Sequence, residues 1–339
     1  MLLPLHFQHF TGEIYFQHKT PHERSGMSHW RLWLGPDFLD ALIQESLRIV
    51  HKSGVLKGGH LKRVSVDTTV QPKNVKFPTD ANLLYTAIVQ LGALARSAGI
   101  KLRQSYVQVA KRAQIMAQRY DHAKQYKLHR RQVKFLKTRL GRLIRDIKRK
   151  TAHEPALQEA LAVSLVKEQT IKTQALNKTA PHKRYSWAAP ETECIGKGKP
   201  YKPYEFGVKA TITTTNARIK AGMFVVHANA LHGNPFDGHM LGKVLSETQA
   251  LNVVAPTHAY VDKGHKGHKQ NRFTFDPEIR QPTRPPWRVF MSGQKALKPH
   301  VQKKLRRRSA IEPVIRHMKQ EHRMGRNFLK DQTGDRFNI

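Results

Sequence analysis

The apolar residues of this chain change their period twice, and that change limits the fold more than any other feature. Val64-Ser65-Val66-Asp67 alternates apolar with polar and runs on into Thr68, Thr69 and Val70, the spacing and residue types of a strand with Asp67 at its end or middle. From about 79 to 177 the spacing turns helical. Ile88, Leu91 and Leu94 recur every three residues, and Val133, Leu136, Leu140, Leu143, Ile144 and Ile147 form one apolar stripe. The period of two then returns: Phe206, Val208, Ala210 and Ile212 alternate with Gly207, Lys209 and Thr211. A sheet interrupted by a long helical insertion is therefore expected.

The remaining elements fill in that outline. Residues 196–203, rich in Gly, Pro and Lys, read as a loop before the second strand. GMFVVHA at 222–228 reads as its hairpin partner, with Thr214, Thr215 and Asn216 as the connector. Residues 237–251 have helical spacing through Met240, Leu241, Val244 and Leu245. A short apolar run, His258-Ala259-Tyr260-Val261, ends at Asp262, and 288–291 adds another strand. A helix from about Ser309 to Met324, capped by Gly325, closes the pattern. The fold class is α/β: one mixed sheet flanked by helices, with the insertion after its first acid-bearing strand. A helical N-terminal segment at 1–60 and a sheet-bearing domain at 61–339 are expected, and no internal repeat is evident.

Charge bears on the partner. Sixty Lys and Arg against 24 Asp and Glu leave a formal charge of +36, which concentrates polyanions near the surface and steers their approach, so nucleic acid is the expected partner. Lys134, Lys137, Arg139, Arg142, Arg145, Lys148, Arg149 and Lys150 surround the apolar stripe of the insertion, where the polar face can follow a phosphate backbone or serve as a solvated surface. The single cysteine, Cys194, rules out a disulfide framework within the chain and a multi-cysteine zinc module. No stretch reaches the roughly 18 continuous apolar residues of a membrane span, and 1–10 has the pattern of neither a signal peptide nor an anchor. A cytoplasmic, nucleoid-associated protein is expected.

Three acids stand where phosphodiester chemistry would need them. Two Mg²⁺ (or Mn²⁺) ions, roughly 3.5–4 Å apart, can activate a nucleophile and stabilise a leaving oxygen, and such hard cations take carboxylate oxygens. Asp67 and Asp262 each follow an apolar strand, and a helix can supply Glu312 as the third ligand. Without metal such carboxylates repel one another and one tends to take up a proton. Each acid also has an ordinary reading. An Asp after a strand serves as a turn or cap residue, and Ser309-Ala310-Ile311-Glu312 is a capping box in its own right. The loop after Asp262 carries Lys263, Gly264, His265, Lys266, Gly267 and His268, small and basic enough to approach a phosphate; His265 and His268 lack further partners for a zinc set. Around Glu312, Arg316, Lys319 and Arg323 recur at three- and four-residue steps, with Arg306, Arg307 and Arg308 just upstream.

These residues resemble the DDE transposases of bacterial insertion sequences, in the group called the IS-five family. Arg308, three residues, Glu312, six residues and Lys319 reproduce most of that family's Tyr-Arg-Glu-Lys signature, with Leu305 at the tyrosine position. VSVDTTVQPKNVKFPTD (64–80), YEFGVKA (204–210), YVDKGHKGH (260–268), RRRSAIEPVIRHMKQEHRMGRNFLK (306–330) and FQHFTGE (7–13) extend the likeness over nearly the whole chain. The resemblance implies an RNase H-like core with Asp67, Asp262 and Glu312 as metal-binding catalytic triad, and Arg308 and Lys319 on the DNA backbone. It implies cleavage at the terminal inverted repeats of an element and transfer of the freed 3′-hydroxyls into target DNA, by a dimer or higher multimer. Against family members the chain reads as truncated at both ends, so 1–60 is a remnant of a DNA-binding region. An inactive relic, a domesticated DNA-binding protein and a stand-alone nuclease are the alternative functions.

Overall fold

Ten residues crowded with β-branched side chains form the strand on which the molecule is organised. In the computed structural model the described residues are 25–339 except 253, 271–273, 277–280 and 284–286, and before residue 25 only 12, 14–16, 18 and 23. The motif at 7–13 lies outside them but for Gly12. Helix α1 (Gly26–Lys52) bends at Gly35, whose φ of 66° interrupts the helical backbone, and a single turn, α2 (Gly58–Leu61), leads into β1 (Arg63–Pro72). Asp67 is therefore inside its strand. Alternation sends Val64 and Val66 to one face of the sheet and Ser65 and Asp67 to the other.

Four helices follow: α3 (Asp80–Ser97), α4 (Val107–His122), α5 (Tyr126–Lys150) and α6 (Pro155–Gln174). Thr79 caps α3 by accepting from the Asn82 N–H, and Pro155 opens α6 where a helix has no use for the missing donor. The predicted stripe is the buried face of α5: Val133, Leu136, Leu140, Leu143, Ile144 and Ile147 pack with Ile88 and Leu91 of α3, Ala110 and Ala117 of α4, and Leu161 and Ile171 of α6. Each such fully buried aliphatic contributes about 1.5–3 kcal/mol. These helices thus have a core of their own. The two ends of the excursion are tied where Asp80 Oδ2 accepts from the Leu176 N–H at 2.7 Å.

Next come β2 (Glu193–Lys199), β3 (Lys202–Thr215) and β4 (Val225–Leu231). The expected loop at 196–203 is instead a β2–β3 hairpin, because an exposed edge ribbon pairs through its backbone and needs no apolar alternation to form. Thr214 and Thr215, expected as connector, lie buried inside β3, opposite Ser65 and Val64. One edge of β3 pairs antiparallel with β1, and its other edge holds β2 and β4 in succession. Gly207 faces Pro72 on one side and Glu193 on the other, and a Cβ there would lie 2.0 Å from the Gln71 carbonyl oxygen, so the close approach requires glycine.

Helix α7 (Asp237–Leu251) returns the chain to β5 (His258–Val261), parallel to β1. A 3₁₀ turn, Lys263–His265, and a short antiparallel pair, β6 (Thr274–Asp276) and β7 (Gln281–Thr283), precede β8 (Arg288–Met291), parallel to β5. The main sheet is therefore mixed. Helices α8 (Pro299–Arg307), α9 (Ile311–Gln320) and α10 (Asp331–Phe337) complete the fold. On one face Leu241, Val244 and Leu245 of α7 and Leu47 of α1 pack on Val64, Val66, Ala259 and Val261. On the other, Ile311 of α9 and Met324 pack on Ala210 and Ile212. No described helix is long and apolar enough to cross a membrane.

The closing helix differs from expectation. It ends at Gln320, the chain turns through Arg323 at φ 60°, and Gly325 accepts a position where a Cβ would lie 2.6 Å from the Lys319 carbonyl oxygen. Met324 and Gly325 donate back to the carbonyls of Met318 and Lys319, which satisfies the helix end earlier than sequence spacing suggested.

Candidate active site

The first two acids are brought level by strand register. Ser65 pairs with Tyr260 in the parallel β1–β5 ladder, and two further residues along each chain set Asp67 opposite Asp262. Parallel strands deliver ligand-binding residues at their carboxyl ends, and Asp262 directly follows the end of β5. Asp67 Oδ1 accepts from the Thr68 N–H at 2.8 Å, and Oδ2 accepts from Arg308 Nη1 at 3.1 Å. Burial pushes the Asp67 carboxyl above its ordinary range; the Arg308 cation opposes that, and the negative charge of Asp262 adds to it.

Asp262 behaves in the opposite way. Its Oδ1 accepts from His265 Nδ1 at 2.7 Å and from the Gly264 N–H at 3.0 Å, capping the 3₁₀ turn. The His265 hydrogen bond, against the opposing effect of burial, holds the Asp262 carboxyl below its ordinary range, helped by the charges of His265 and Arg308. Two neighbouring carboxyls with proton affinities driven apart form an arrangement that suits active-site chemistry.

Glu312 reaches this pair through a cation. Arg308, only 13% exposed, places Nη2 3.9 Å from Glu312 Oε1 while Nη1 holds Asp67. Glu312 lies in the first turn of α9 and is 66% exposed. The capping-box reading does not describe it: Ala310 is the N-cap, no side chain caps the helix, and the Ser309 hydroxyl donates to the Arg306 carbonyl. Among the described residues no group of three or more His, Cys, Asp or Glu is close enough together to hold a metal ion as it stands. Asp67 and Asp262 supply the oxygen donors that a hard divalent cation takes, and the mutual repulsion at Asp67 is what such a cation relieves. Glu312 meets instead Arg308, the cation that also holds Asp67.

The basic residues separate into near and far sets. Lys263 and Lys266 are exposed on the loop after Asp262, and the Lys263 stem lies over Gly293, where a Cβ would come 2.7 Å from its Cε. Arg316 is exposed on α9. Lys319 is close enough to Glu205 for its charge to help lower that carboxyl. Arg323, beyond the helix end, leaves the row that spacing had put it in.

One acid at the site was read from sequence only as the start of a helix. Asp237 opens α7, where a carboxylate complements the helix dipole, and its Oδ2 accepts from Thr68 Oγ1 at 3.0 Å while Oδ1 pairs with Lys209 Nζ at 3.1 Å. A Cβ on Gly264 would lie 3.1 Å from Asp262 Oδ1 and 3.4 Å from Asp237 Oδ2, so the two carboxylates flank that glycine. Nothing local to Phe236-Asp237-Gly238 signals this, because Thr68 and Lys209 come from distant strands.

Comparison with known proteins adds one relative. A protein of Rhizobium meliloti, "Uncharacterized protein ORF8 in nfe locus", is 43% identical over 121 residues, which cover 36% of this chain and 58% of that protein. The chain thus spans little more than half the length of the curated relative it matches, whose name states no activity. No protein-family profile and no solved structure matches the chain.

Proposed function

We propose that this chain is a DNA transposase of the IS-five kind, built on an RNase H-like core, that cleaves the ends of an insertion sequence and joins them to target DNA. The observation that carries the proposal is the meeting of Asp67, on β1, with Asp262, at the end of the adjacent parallel β5, and the tie from Glu312 to Asp67 through Arg308. The charge of +36 supports DNA as the substrate. In the six-stranded sheet β4, β3 and β1 pair antiparallel in that order, β5 and β8 continue it in parallel and β2 is added beside β3, an order that supports the RNase H-like core.

Asp67, Asp262 and Glu312 would hold two Mg²⁺ or Mn²⁺ ions, which supply Lewis acidity to the scissile phosphate and a nucleophile at neutral pH. The chain's own groups do the rest. His265 and the Gly264 N–H fix the Asp262 carboxylate in its ionised form. Lys263 and Lys266 lie beside it, where a phosphate backbone would pass, and Arg308 is free to exchange a carboxylate for a phosphate oxygen on DNA binding. Terminal inverted repeats held two at a time call for a homodimer or higher multimer on DNA.

A second reading rests on Arg308 itself. A guanidinium between Asp67 and Glu312 already neutralises them, as in an inactive relic or a domesticated DNA-binding protein that keeps the fold. One experiment separates the readings: incubation with Mg²⁺ or Mn²⁺ and DNA carrying the element's own ends, for the unsubstituted chain and for Asp67→Ala, Asp262→Ala and Glu312→Ala. Metal-dependent nicking lost in all three variants supports the triad, and joined products distinguish a transposase from a nuclease. DNA binding without cleavage by the unsubstituted chain would sink the enzymatic reading.

A further inference from the structure

The helical excursion carries a cluster of cations that the catalytic reading does not use. Between the α3–α4 loop and the second half of α5 lies a cavity of about 470 Å³ lined by Arg103, Tyr106, Arg142, Arg145 and Arg149, with Asp146 as its one acid. Asp146 is already committed. Its Oδ1 accepts from Arg149 Nη2 at 2.6 Å, and its Oδ2 accepts from the Arg103 backbone N–H at 3.0 Å and from Lys150 Nζ at 3.2 Å. Among the described residues, the guanidinium groups of Arg103, Arg142 and Arg145 have no carboxylate within ion-pair distance.

Such a cluster has a cost that solvation alone does not explain. Like charges three and four residues apart on a helix destabilise it by about 0.2–0.5 kcal/mol per pair, and Arg142, Arg145 and Arg149 follow that spacing. A solvated face usually intersperses acids. Here the exposed cations continue toward the N-terminus of the same helix through Lys134, Arg131 and Lys127. A helix of 25 residues is about 37 Å long, close to the roughly 34 Å of one duplex turn. Guanidinium forks match phosphate oxygens in pairs, whereas a single small anion would leave most of the row unused.

We propose that the arginine-lined cavity, with the cation row of α5, is a phosphate-binding site for the backbone of duplex DNA, separate from the acids at the sheet. Arg142, Arg145 and Arg149 grip phosphates from the helix, and Arg103 closes on them from the loop. The helix is held from behind by its own core, so the exposed arginines can be changed without unpacking it.

The test is binding of a fluorescein-labelled 20-base-pair duplex of arbitrary sequence by the full chain in EDTA, at several salt concentrations. Arg142→Gln/Arg145→Gln is compared with a charge-matched control, Lys52→Gln/Lys220→Gln, both checked for an unchanged circular dichroism spectrum and melting point. The arginine variant should bind at least tenfold more weakly at 0.1 M salt, with the slope of log K against log salt reduced by about 2, while the control stays within twofold. Arg142→Lys/Arg145→Lys should recover the slope but only part of the affinity, because it keeps charge and loses the fork. Equal loss in the control, or equal competition by poly-glutamate and by unlabelled duplex, would overturn a phosphate site here. Binding in EDTA needs no metal on the carboxylates, so Asp67→Ala/Asp262→Ala should bind at least as tightly as the parent, and failure of the catalytic proposal leaves this result readable.

Discussion

Glu168 offers a prediction whose size follows from its surroundings. It lies on α6 with no exposed surface; Oε1 accepts from Trp187 Nε1 at 2.6 Å, and Oε2 is buried without a hydrogen bond. Burial pushes its carboxyl up to about 7 from the ordinary 4.5, against the opposing Trp187 hydrogen bond and the nearby Lys167 and Arg184 charges. The folded chain therefore holds this proton more tightly than the unfolded chain does. Below about pH 4.5 both states are protonated and the residue carries no penalty. As pH rises to about 7 the unfolded state ionises first and stability falls; above that the loss levels off at about 3 kcal/mol. Glu168→Gln keeps the acceptor for Trp187 and removes the ionisation. The new amide N–H₂ adds a constant cost of about 1–3 kcal/mol where it lacks a partner, so the measured quantity is the change in the difference with pH. Urea unfolding at pH 5, 6, 7 and 8 should show the variant gaining on the parent by about 2.5 kcal/mol between pH 5 and pH 8. A difference independent of pH would refute the reasoning.

Other consequences follow from the buried ion pairs, the helical core and the site. Lys73→Ala strands Glu191 and Asp335, each 2.7 Å from the lysine and almost fully buried, and should cost about 3–5 kcal/mol in urea unfolding. Leu140→Ala, in the core of the four helices, should cost about 2–5 kcal/mol, readable as a melting shift in thermal unfolding. Arg308→Ala removes the cation that opposes burial at Asp67, so the acid limb of any cleavage activity should move to higher pH, whereas an unmoved limb would separate Arg308 from the titration. Asp237→Asn breaks the Lys209 pair and should lower cleavage by about tenfold or more through misplacement of the loop after Asp262.

Much of the architecture was legible because its signals are local. The alternation around Asp67, the spacing of 237–251 and the apolar run at 258–261 all correspond to the elements observed, since periodicity is written in residues a few positions apart. The stripe on α5 is buried as its spacing required. Local signals failed where pairing or capping outweighed composition. The Gly- and Lys-rich hairpin at 193–215 is held by backbone partners that composition does not reveal, and α9 ends at Gln320 because the chain turns through a left-handed Arg323 before Gly325 donates back to Lys319.

The candidate site divides along the same line. By itself the sequence determined that acids end or interrupt apolar strands, that a basic amphipathic segment lies between them, and that Glu312 has Arg308 one helical turn before it. Only the tertiary structure decided that Asp67 lies level with Asp262, that Arg308 reaches back to Asp67 across 241 positions, and that Asp237 meets Thr68 across 169. Sheet register and helix docking depend on burial summed over the whole core, and no short window of residues contains that sum.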